Sequence, residues 1–201
     1  MKKVTFKEFI YRYIELSFLE WQLIKSRLRY KTYKKGERIL NLDDICQDIV
    51  FVEDGYARAY VIDENGKDYT WSIMFNNENS KVENLFAIDF ESFLQESPSR
   101  LEIEALSECK TVLIKKSDLD FLQERSKKVE RFCRLMTEEG YSYLHNLILD
   151  RQTKSAKKRV EEFLQTKSHL LSIVPQYHIA SLLDITPQHL SRLKKEINID
   201  E

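Results

Sequence analysis

The chain has 201 residues, of which 42% are apolar and 32% are charged, and its net charge is −1. This length allows one large domain or two modest ones. Three prolines and four glycines are too few for long disordered linkers, and the near-zero net charge excludes a protein that is basic throughout.

Two helix-start signals open the chain. Thr5 with Glu8, and Ser17 with Glu20, have the spacing of capping boxes, in which each N-cap hydroxyl and the acid three residues later satisfy backbone donors. Residues 5–28 are therefore predicted to form two short helices. Packing against a neighbouring domain is a sufficient role for them.

From Leu28 to about Lys116 the apolar period changes to two, which is typical of β-strands. Turn signals such as Asp54-Gly55 and Asn65-Gly66 separate the apolar runs. Residues 76–84 are expected to form a loop, and residues 86–94 a strand end and one helical turn. Many short antiparallel strands predict a small barrel or jelly roll. The expected strands are 39–40, 48–52, 56–62, 67–75, 101–106 and 111–116.

A long helix is predicted from Lys127 to about Arg151. Apolar and small residues recur along it at alternating spacings of four and three, as in a coiled coil. Gly140 costs about 1 kcal/mol of helix propensity relative to alanine, which close approach of a second helix would explain. A dimer seam is favoured, and burial against the chain's own strands is the alternative. The seam residues are Val129, Cys133, Met136, Gly140, Tyr143 and Leu147.

The C-terminal residues predict three further helices. The first covers Thr153 to Leu164. The other two lie between Val174 and Ile197, with Pro175 at the first position of one helix, Asp184 after its end with a positive φ, and Thr186 as the N-cap of the next, followed by proline. Two short helices joined by a tight turn form a helix-turn-helix, whose second helix can enter the major groove of DNA.

The second of these helices is expected to turn its polar side chains outward and Leu190, Leu193 and Ile197 inward. Gln188, His189 and Arg192 are the candidates for reading bases. The candidates for holding phosphates are Thr186, Ser191, Lys194 and Lys195. Residues 151–201 carry nine Lys/Arg against six Asp/Glu, whereas residues 1–150 carry 23 against 27, so the basic part of the chain coincides with this motif.

Enzyme and metal chemistry lack a sequence signal. Three widely separated cysteines without a CxxC pair, at positions 46, 109 and 133, are expected to be small buried residues in a reducing cytoplasm. The four histidines have no metal spacing, and residues 30–116 contain none, which excludes a cupin enzyme. No apolar run approaches the ~20 residues of a membrane span and no signal peptide is evident, so a cytoplasmic protein without a membrane partner is expected.

The order of strands, long helix and terminal helices resembles that of the Crp/Fnr family of bacterial transcription regulators, over nearly the whole chain. It looks most like the short, Bacteroidetes-type members. The segments that carry the resemblance are Val50–Tyr60, Phe90–Leu94 with Pro98-Ser99, Ile103–Leu106 and IASLLDITPQHLSRLKK at 179–195.

The resemblance implies an α+β fold with an N-terminal antiparallel β-barrel or jelly roll and flanking helices, a long dimerisation helix, and an all-α helix-turn-helix domain. The corresponding domains are a cyclic-nucleotide-binding-like sensor at 1–116, a linker and dimerisation helix at 117–151, and a DNA-binding domain at 152–201. The implied function is a homodimeric regulator that reads an inverted repeat through helix 187–197. The expected partners are double-stranded DNA, a second copy of the chain, RNA polymerase and a small-molecule effector of unknown identity.

The sequence departs from the family's cyclic-AMP pattern. Members that bind cyclic AMP carry a Gly-Glu-Leu segment and an arginine for the phosphate, whereas here residues 88–93 lack glycine and Ser99 stands at the arginine position. Cyclic AMP is therefore not expected. The cysteine cluster of the oxygen-sensing members is also absent, and neither an iron–sulfur cluster nor haem is indicated. The remaining candidates for an effector pocket are Trp71, Glu91, Ser92, Ser99 and Arg100.

Two alternative functions stay open at this point. The sequence ends four residues after Ile197, which leaves no room for the terminal β-hairpin wing of many members and predicts salt-sensitive DNA binding. A ligand-sensing or protein-interaction module with a degenerate DNA-binding domain is therefore one alternative. A constitutive regulator with an empty barrel is the other. The sequence identifies neither the effector nor the target genes.

Overall fold

The computed structural model describes residues 2–197, which form an α+β structure with two antiparallel sheets. The elements in chain order are α1 Phe6–Tyr11, α2 Phe18–Lys25, β1 Arg29–Tyr33, β2 Arg38–Leu40, β3 Asp48–Asp54, β4 Tyr56–Ile62, β5 Asp68–Phe75, α3 Val82–Leu85, β6 Phe86–Ala87, α4 Phe90–Gln95, β7 Glu102–Ala105, β8 Cys109–Lys115, α5 Lys116–Arg125, α6 Lys127–Thr153, α7 Ala156–Lys167, a 3-10 turn Ser168–Ser172, α8 Gln176–Leu182 and α9 Pro187–Glu196.

The described residues form two compact units. The first contains residues 2–60 and Ser72–Tyr141, and the second contains Val61–Trp71 and residues 142–197. Among the described residues, no helix combines the length and the apolar character needed to cross a bilayer.

The strands of the predicted barrel or jelly roll form two four-stranded sheets and not a closed barrel. Their strand orders are β1-β8-β3-β6 and β2-β7-β4-β5. The predicted strands all form, and β6 with α4 matches the strand end and helical turn expected at residues 86–94, whereas β1 was not predicted. The side chains of β1 are exposed at four of five positions, so its sequence lacks an alternating pattern. It forms because β8 pairs with it along its whole length, from Arg29 opposite Leu113 to Tyr33 opposite Cys109.

The turn between β3 and β4 requires glycine. Gly55 has a φ of +92°, and a Cβ there would lie 2.1 Å from the carbonyl oxygen of Glu108. Both the backbone angle and the close approach exclude a side chain. The Asp54-Gly55 turn predicted from the sequence is therefore confirmed and is sterically specified by the loop before β8.

An aromatic cluster attaches the N-terminal helices to the first unit. Both predicted capping boxes form, and they orient α1 so that Phe9 is fully buried. Its ring lies 5.4 Å from that of Phe86 and 6.1 Å from that of Phe132. Edge-on aromatic contacts of this kind add to the free energy of burial. Helix α1 thus packs against β6 and the first turns of α6.

Helix α6 extends two residues beyond its predicted end. The predicted dimer seam is only partly available on it. Val129 and Met136 are buried in the first unit, at 5% and 8% exposure, so they present little surface to a second copy of the chain. Cys133, Gly140, Tyr143 and Leu147 are partly exposed. The sequence identified the apolar face of α6. It did not show that other helices of the same chain cover the first half of that face.

Helices α7, α8 and α9 enclose a small core in the second unit. Helix α7 begins after Ser155 rather than at Thr153, because α6 continues to Thr153 and the Ser155 hydroxyl accepts from the Lys158 amide. Pro175 is the N-cap of α8, one residue before the predicted position. The buried residues of this core are Val160, Phe163, Leu164, Leu170, Val174, Ile179, Ala180, Leu190 and Leu193.

Candidate nucleic-acid interface and effector cavity

Local hydrogen bonds define the turn between α8 and α9. Asp184 has a φ of +55°, as the sequence predicted. The amide of Asp184 donates to the Ser181 carbonyl at 3.0 Å, and the amide of Ile185 donates to the Ala180 carbonyl at 3.0 Å. These two bonds form a Schellman motif, which satisfies the last carbonyls of a helix. The turn thereby ends α8 at Leu182 and sets the direction in which the chain leaves the helix.

Helix α9 begins as predicted. The Thr186 hydroxyl accepts from the His189 amide at 3.2 Å, and Pro187 occupies the first helical position. Helix α7 also holds the turn, because Arg159 Nε donates to the Leu183 carbonyl at 3.2 Å. No local sequence signal indicates this contact, because the carbonyl lies 24 residues after Arg159.

The solvent-facing side of α9 is polar and cationic. Gln188, Ser191, Arg192 and Lys195 are exposed and His189 is partly exposed. Arg192 makes a long contact with Glu196, at 3.7 Å between Nε and Oε1. Side chains of these types can hydrogen-bond to base edges and phosphates.

Lys194 does not belong to that exposed face. Its exposure is 8%, so the prediction that it points outward was wrong. Helical spacing places residue 194 next to the apolar stripe of Leu190 and Leu193, and a long lysine stem can pack along such a stripe. The helical period of 3.6 residues alone does not tell whether a residue at the edge of the apolar stripe is buried or exposed.

Within the second unit, the start of β5 contacts the helices. The Thr70 amide donates to the Ser181 hydroxyl at 2.8 Å. The guanidinium of Arg151 lies 5.4 Å and 5.5 Å from the ring centres of Tyr69 and Trp71, within cation–π range. Trp71, predicted as an effector contact, thus faces Arg151. No local pattern of residues indicates this contact.

Two of the predicted effector residues belong to a buried polar network. The Asp89 carboxylate accepts from the amides of Glu91 and Ser92 at 3.1 and 3.3 Å, and from the Ser99 hydroxyl at 2.7 Å. Ser92 accepts from the Cys46 amide at 2.9 Å. Ser92 and Ser99 are buried, whereas the side chains of Glu91 and Arg100 are exposed. The donors that an anion would use at the start of α4 are therefore occupied by Asp89.

An open cavity of about 510 Å³ lies beside this network in the first unit. Its volume is that of a typical small-molecule site. Its charged lining residues are the aspartates at 43, 44 and 48, and none of the five predicted effector residues lines it. We call it the acidic cavity. Its other lining residues are Tyr33, Ile39, Leu40, Ile45, Cys46, Gln47, Val50 and Ala87.

The cysteines are poor nucleophiles. Burial raises the pKa of Cys46 and of Cys109 to about 11, and that of Cys133 to about 12. All three thiols are therefore protonated near neutral pH, and the thiolate is the reactive form. In residues 2–197, no group of three or more His, Cys, Asp or Glu side chains is arranged to bind a metal ion.

Known structures share this fold. FixK2 from Bradyrhizobium japonicum superposes with a TM-score of 0.69 at 20% identity, covering 85% of this chain and 84% of FixK2. A transcriptional regulator of the Crp/Fnr family from Eubacterium rectale gives 0.65 at 19%, covering 92% and 84%. A CooA mutant from Carboxydothermus hydrogenoformans gives 0.65 at 16%, covering 96% and 85%. No family model and no curated protein sequence matches the chain.

The chain therefore has the fold of Crp/Fnr-type regulators. At identities of 16–20% the likeness concerns the fold, and function has to be argued from the site itself. At that level the resemblance inferred from the sequence is confirmed.

Proposed function

We propose that the chain is a dimeric, sequence-specific DNA-binding transcription regulator of the Crp/Fnr type. The observation that carries the proposal is the exposed face of α9, which begins at a capped turn and presents Gln188, Arg192 and Lys195 to solvent. The shared fold supports it. The proposed division of labour is a sensor at 1–116, a linker and dimerisation helix at 117–151 and a DNA-binding domain at 152–201.

In this proposal α9 enters the major groove. Gln188, His189 and Arg192 read base edges, for which glutamine and arginine can each form two hydrogen bonds. Thr186, Ser191 and Lys195 contact phosphates, which position the protein without specifying sequence. Lys194 has no part in the contact, because it is buried.

Dimerisation through α6 would place two copies of α9 on an inverted repeat. Large apolar side chains remain exposed on the second half of α6: Tyr141 at 70%, Leu144 at 37%, Ile148 at 53% and Leu149 at 43%. Tyr141, Leu144 and Ile148 follow spacings of three and four, which place them on one helix face. We assign the seam to this face together with Gly140, in place of Val129 and Met136.

The effector, if the protein uses one, is proposed to differ from cyclic AMP. The acidic cavity has carboxylates where a phosphate ligand would need cations. The amides at the start of α4 donate to Asp89. An anionic ligand would therefore meet repulsion from the aspartates, and the amides of Glu91 and Ser92 are already bonded.

Selection from a random double-stranded DNA library at low salt tests the function. We expect enrichment of an inverted repeat whose half-sites lie about 34 Å apart, one helical turn. Arg192→Ala should relax preference at one base position by about 1–3 kcal/mol, whereas Lys195→Ala should weaken all sequences alike. Arg125→Ala, which removes an exposed arginine from α5, is the matched control and should change neither.

The same selection separates the proposal from its alternative. A selection that enriches no sequence, from protein shown to be folded, would refute the regulator. It would favour a ligand-sensing or protein-interaction module that has lost DNA binding. Equal losses on specific and random DNA for Arg192→Ala and Lys195→Ala would contradict the residue assignment alone.

A further inference from the structure

A second cavity, distinct from the acidic cavity, lies in the first unit. Its volume is about 320 Å³, and helices α1, α2, α4, α5 and α6 contribute its walls together with Ile49 of β3 and Ile114 of β8. We call it the apolar cavity. Its lining is dominated by aliphatic and aromatic side chains, among them Ile10, Phe93, Leu119, Val129, Cys133 and Met136.

The volume of the apolar cavity is that of a small-molecule site. It is about twice the ~150 Å³ that accommodates benzene, and it lies within the range of small-ligand pockets.

Apolar side chains form part of the entrance to the apolar cavity. Phe90 and Leu94 stand four residues apart on α4, line the cavity and remain 39% and 55% exposed. Residues four apart share one face of a helix. Phe93, between them in sequence, is buried at 5%. Helix α4 thus holds one aromatic ring in the core and two apolar side chains at the entrance.

The charged residues at the rim do not favour an ionic ligand. Lys116 Nζ lies 3.8 Å from carboxylate oxygens of both Glu96 and Asp120. Arg134 Nη1 lies 2.5 Å from the Glu138 carboxylate. Because both cations are already paired, an anionic head group would have to displace a carboxylate. An uncharged molecule can bind without displacing either carboxylate.

From these features we infer that the apolar cavity binds an uncharged, apolar small molecule, either an aliphatic chain or a pair of aromatic rings. The binding free energy comes from removing apolar surface of the ligand and of the walls from water. The site contacts α6 at Val129, Cys133 and Met136, within its first turns. This inference is independent of whether the protein binds DNA.

Methionine-methyl NMR provides the test, because Met136 lines the apolar cavity and Met74 is buried at 1% in β5, away from it. The full chain, labelled at methionine methyl carbons, is titrated with 1-octanol and separately with naphthalene. We expect a saturable shift of the Met136 signal with at least one probe and none for Met74. Octanoate, which matches octanol in length but is charged, should bind at least tenfold more weakly.

Two variants complete the test. Cys133→Phe puts a ring into the cavity and should weaken binding of the probe at least tenfold, with an unchanged Met74 signal as evidence of folding. Leu94→Lys alters an exposed position, so it should fold normally, and it should also weaken binding. The inference is overturned if neither probe shifts Met136, if both methionines shift alike, if octanoate binds as tightly as octanol, or if folded variants bind like the wild type.

Discussion

Two glycines with the same backbone requirement but different surroundings allow a test at single residues. Gly55 and Gly66 have φ values of +92° and +77°, but only Gly55 has atoms within 4 Å of an added Cβ. Alanine at either position carries a conformational cost of about 1–2 kcal/mol. Gly55→Ala adds a backbone clash, for which overpacking costs suggest roughly 1–3 kcal/mol more. Urea unfolding of the two variants measures the difference, and equal losses would contradict the close approach to Glu108.

The buried thiols predict how stability depends on pH. An unfolded cysteine has a pKa near 8.5, whereas burial raises the pKa of Cys46 and of Cys109 to about 11. The unfolded chain therefore loses these protons first, and the free energy of unfolding falls as pH rises from about 9 towards 11. Each thiol contributes up to about 1.4 kcal/mol per pH unit in that window. Urea midpoints at pH 7.5 and pH 10 measure the fall, and Cys109→Ala should reduce it. A stability that is constant across this range would contradict the prediction.

Residue-level prediction from the sequence succeeded where the signal is local. Asp184, Thr186 and Pro187 occupy the predicted turn and cap positions, because their preferences depend on neighbours within four residues. Lys194 was misjudged, because it lies at the edge of the apolar stripe of α9, where helical spacing does not decide between burial and exposure. Neither periodicity nor composition contains that information.

Among the elements, the α8–α9 turn can be tested through its left-handed residue. Asp184→Gly should stabilise the protein by up to about 1 kcal/mol, since glycine adopts a positive φ without the Cβ penalty. Asp184→Ala should instead destabilise it, because alanine visits this region less readily than aspartate. Thermal unfolding gives both values. If Asp184→Gly proved the less stable of the two, the Schellman geometry of this turn would be wrong.

Helix α4 carries a second prediction, about ligand binding. Because Asp89 accepts from the amides of Glu91 and Ser92, cyclic AMP should give no saturable binding by calorimetry. Asp89→Ala should cost about 0.5–2 kcal/mol of stability through loss of the N-cap. Saturable binding of cyclic AMP to the wild-type chain would show that the Asp89 network opens for an anion.

For the molecule as a whole, the sequence predicted most of the helices and strands. It did not predict which of their apolar faces are buried within the chain and which are exposed. Turn residues, caps and changes of period identified the strands of both sheets except β1. They also identified α6, whose end was predicted within two residues. What failed was the assignment of faces: an apolar stripe on α6 does not reveal whether the chain's own helices or another copy covers it. The half of this stripe that contains Val129 and Met136 is buried within the chain, and this depends on the three-dimensional packing.

The proposed dimer can be tested at the other half of α6. Ile148 is 53% exposed, so Ile148→Glu should leave the monomer stable but place a charge in the dimer seam, where an unpaired charge is strongly unfavourable. We expect dimer dissociation at least tenfold easier by analytical ultracentrifugation. Asn146→Glu adds the same charge about 200° away around the helix and should leave the dimer intact. Equal effects of both variants would contradict the assigned face.

Substitution of Gly140 by alanine is expected to have opposite effects on the stability of the single chain and on dimerisation through α6. Within one chain a Cβ at Gly140 has no heavy atom within 4 Å, so Gly140→Ala should stabilise an isolated chain by about 1 kcal/mol through helix propensity. If a second α6 crosses closely at this point, the added methyl group separates the helices and weakens the dimer. We therefore expect a higher urea midpoint at dilutions where the chain is monomeric, together with a raised dimer dissociation constant. A gain in stability with unchanged dimerisation would place the helix crossing elsewhere on α6.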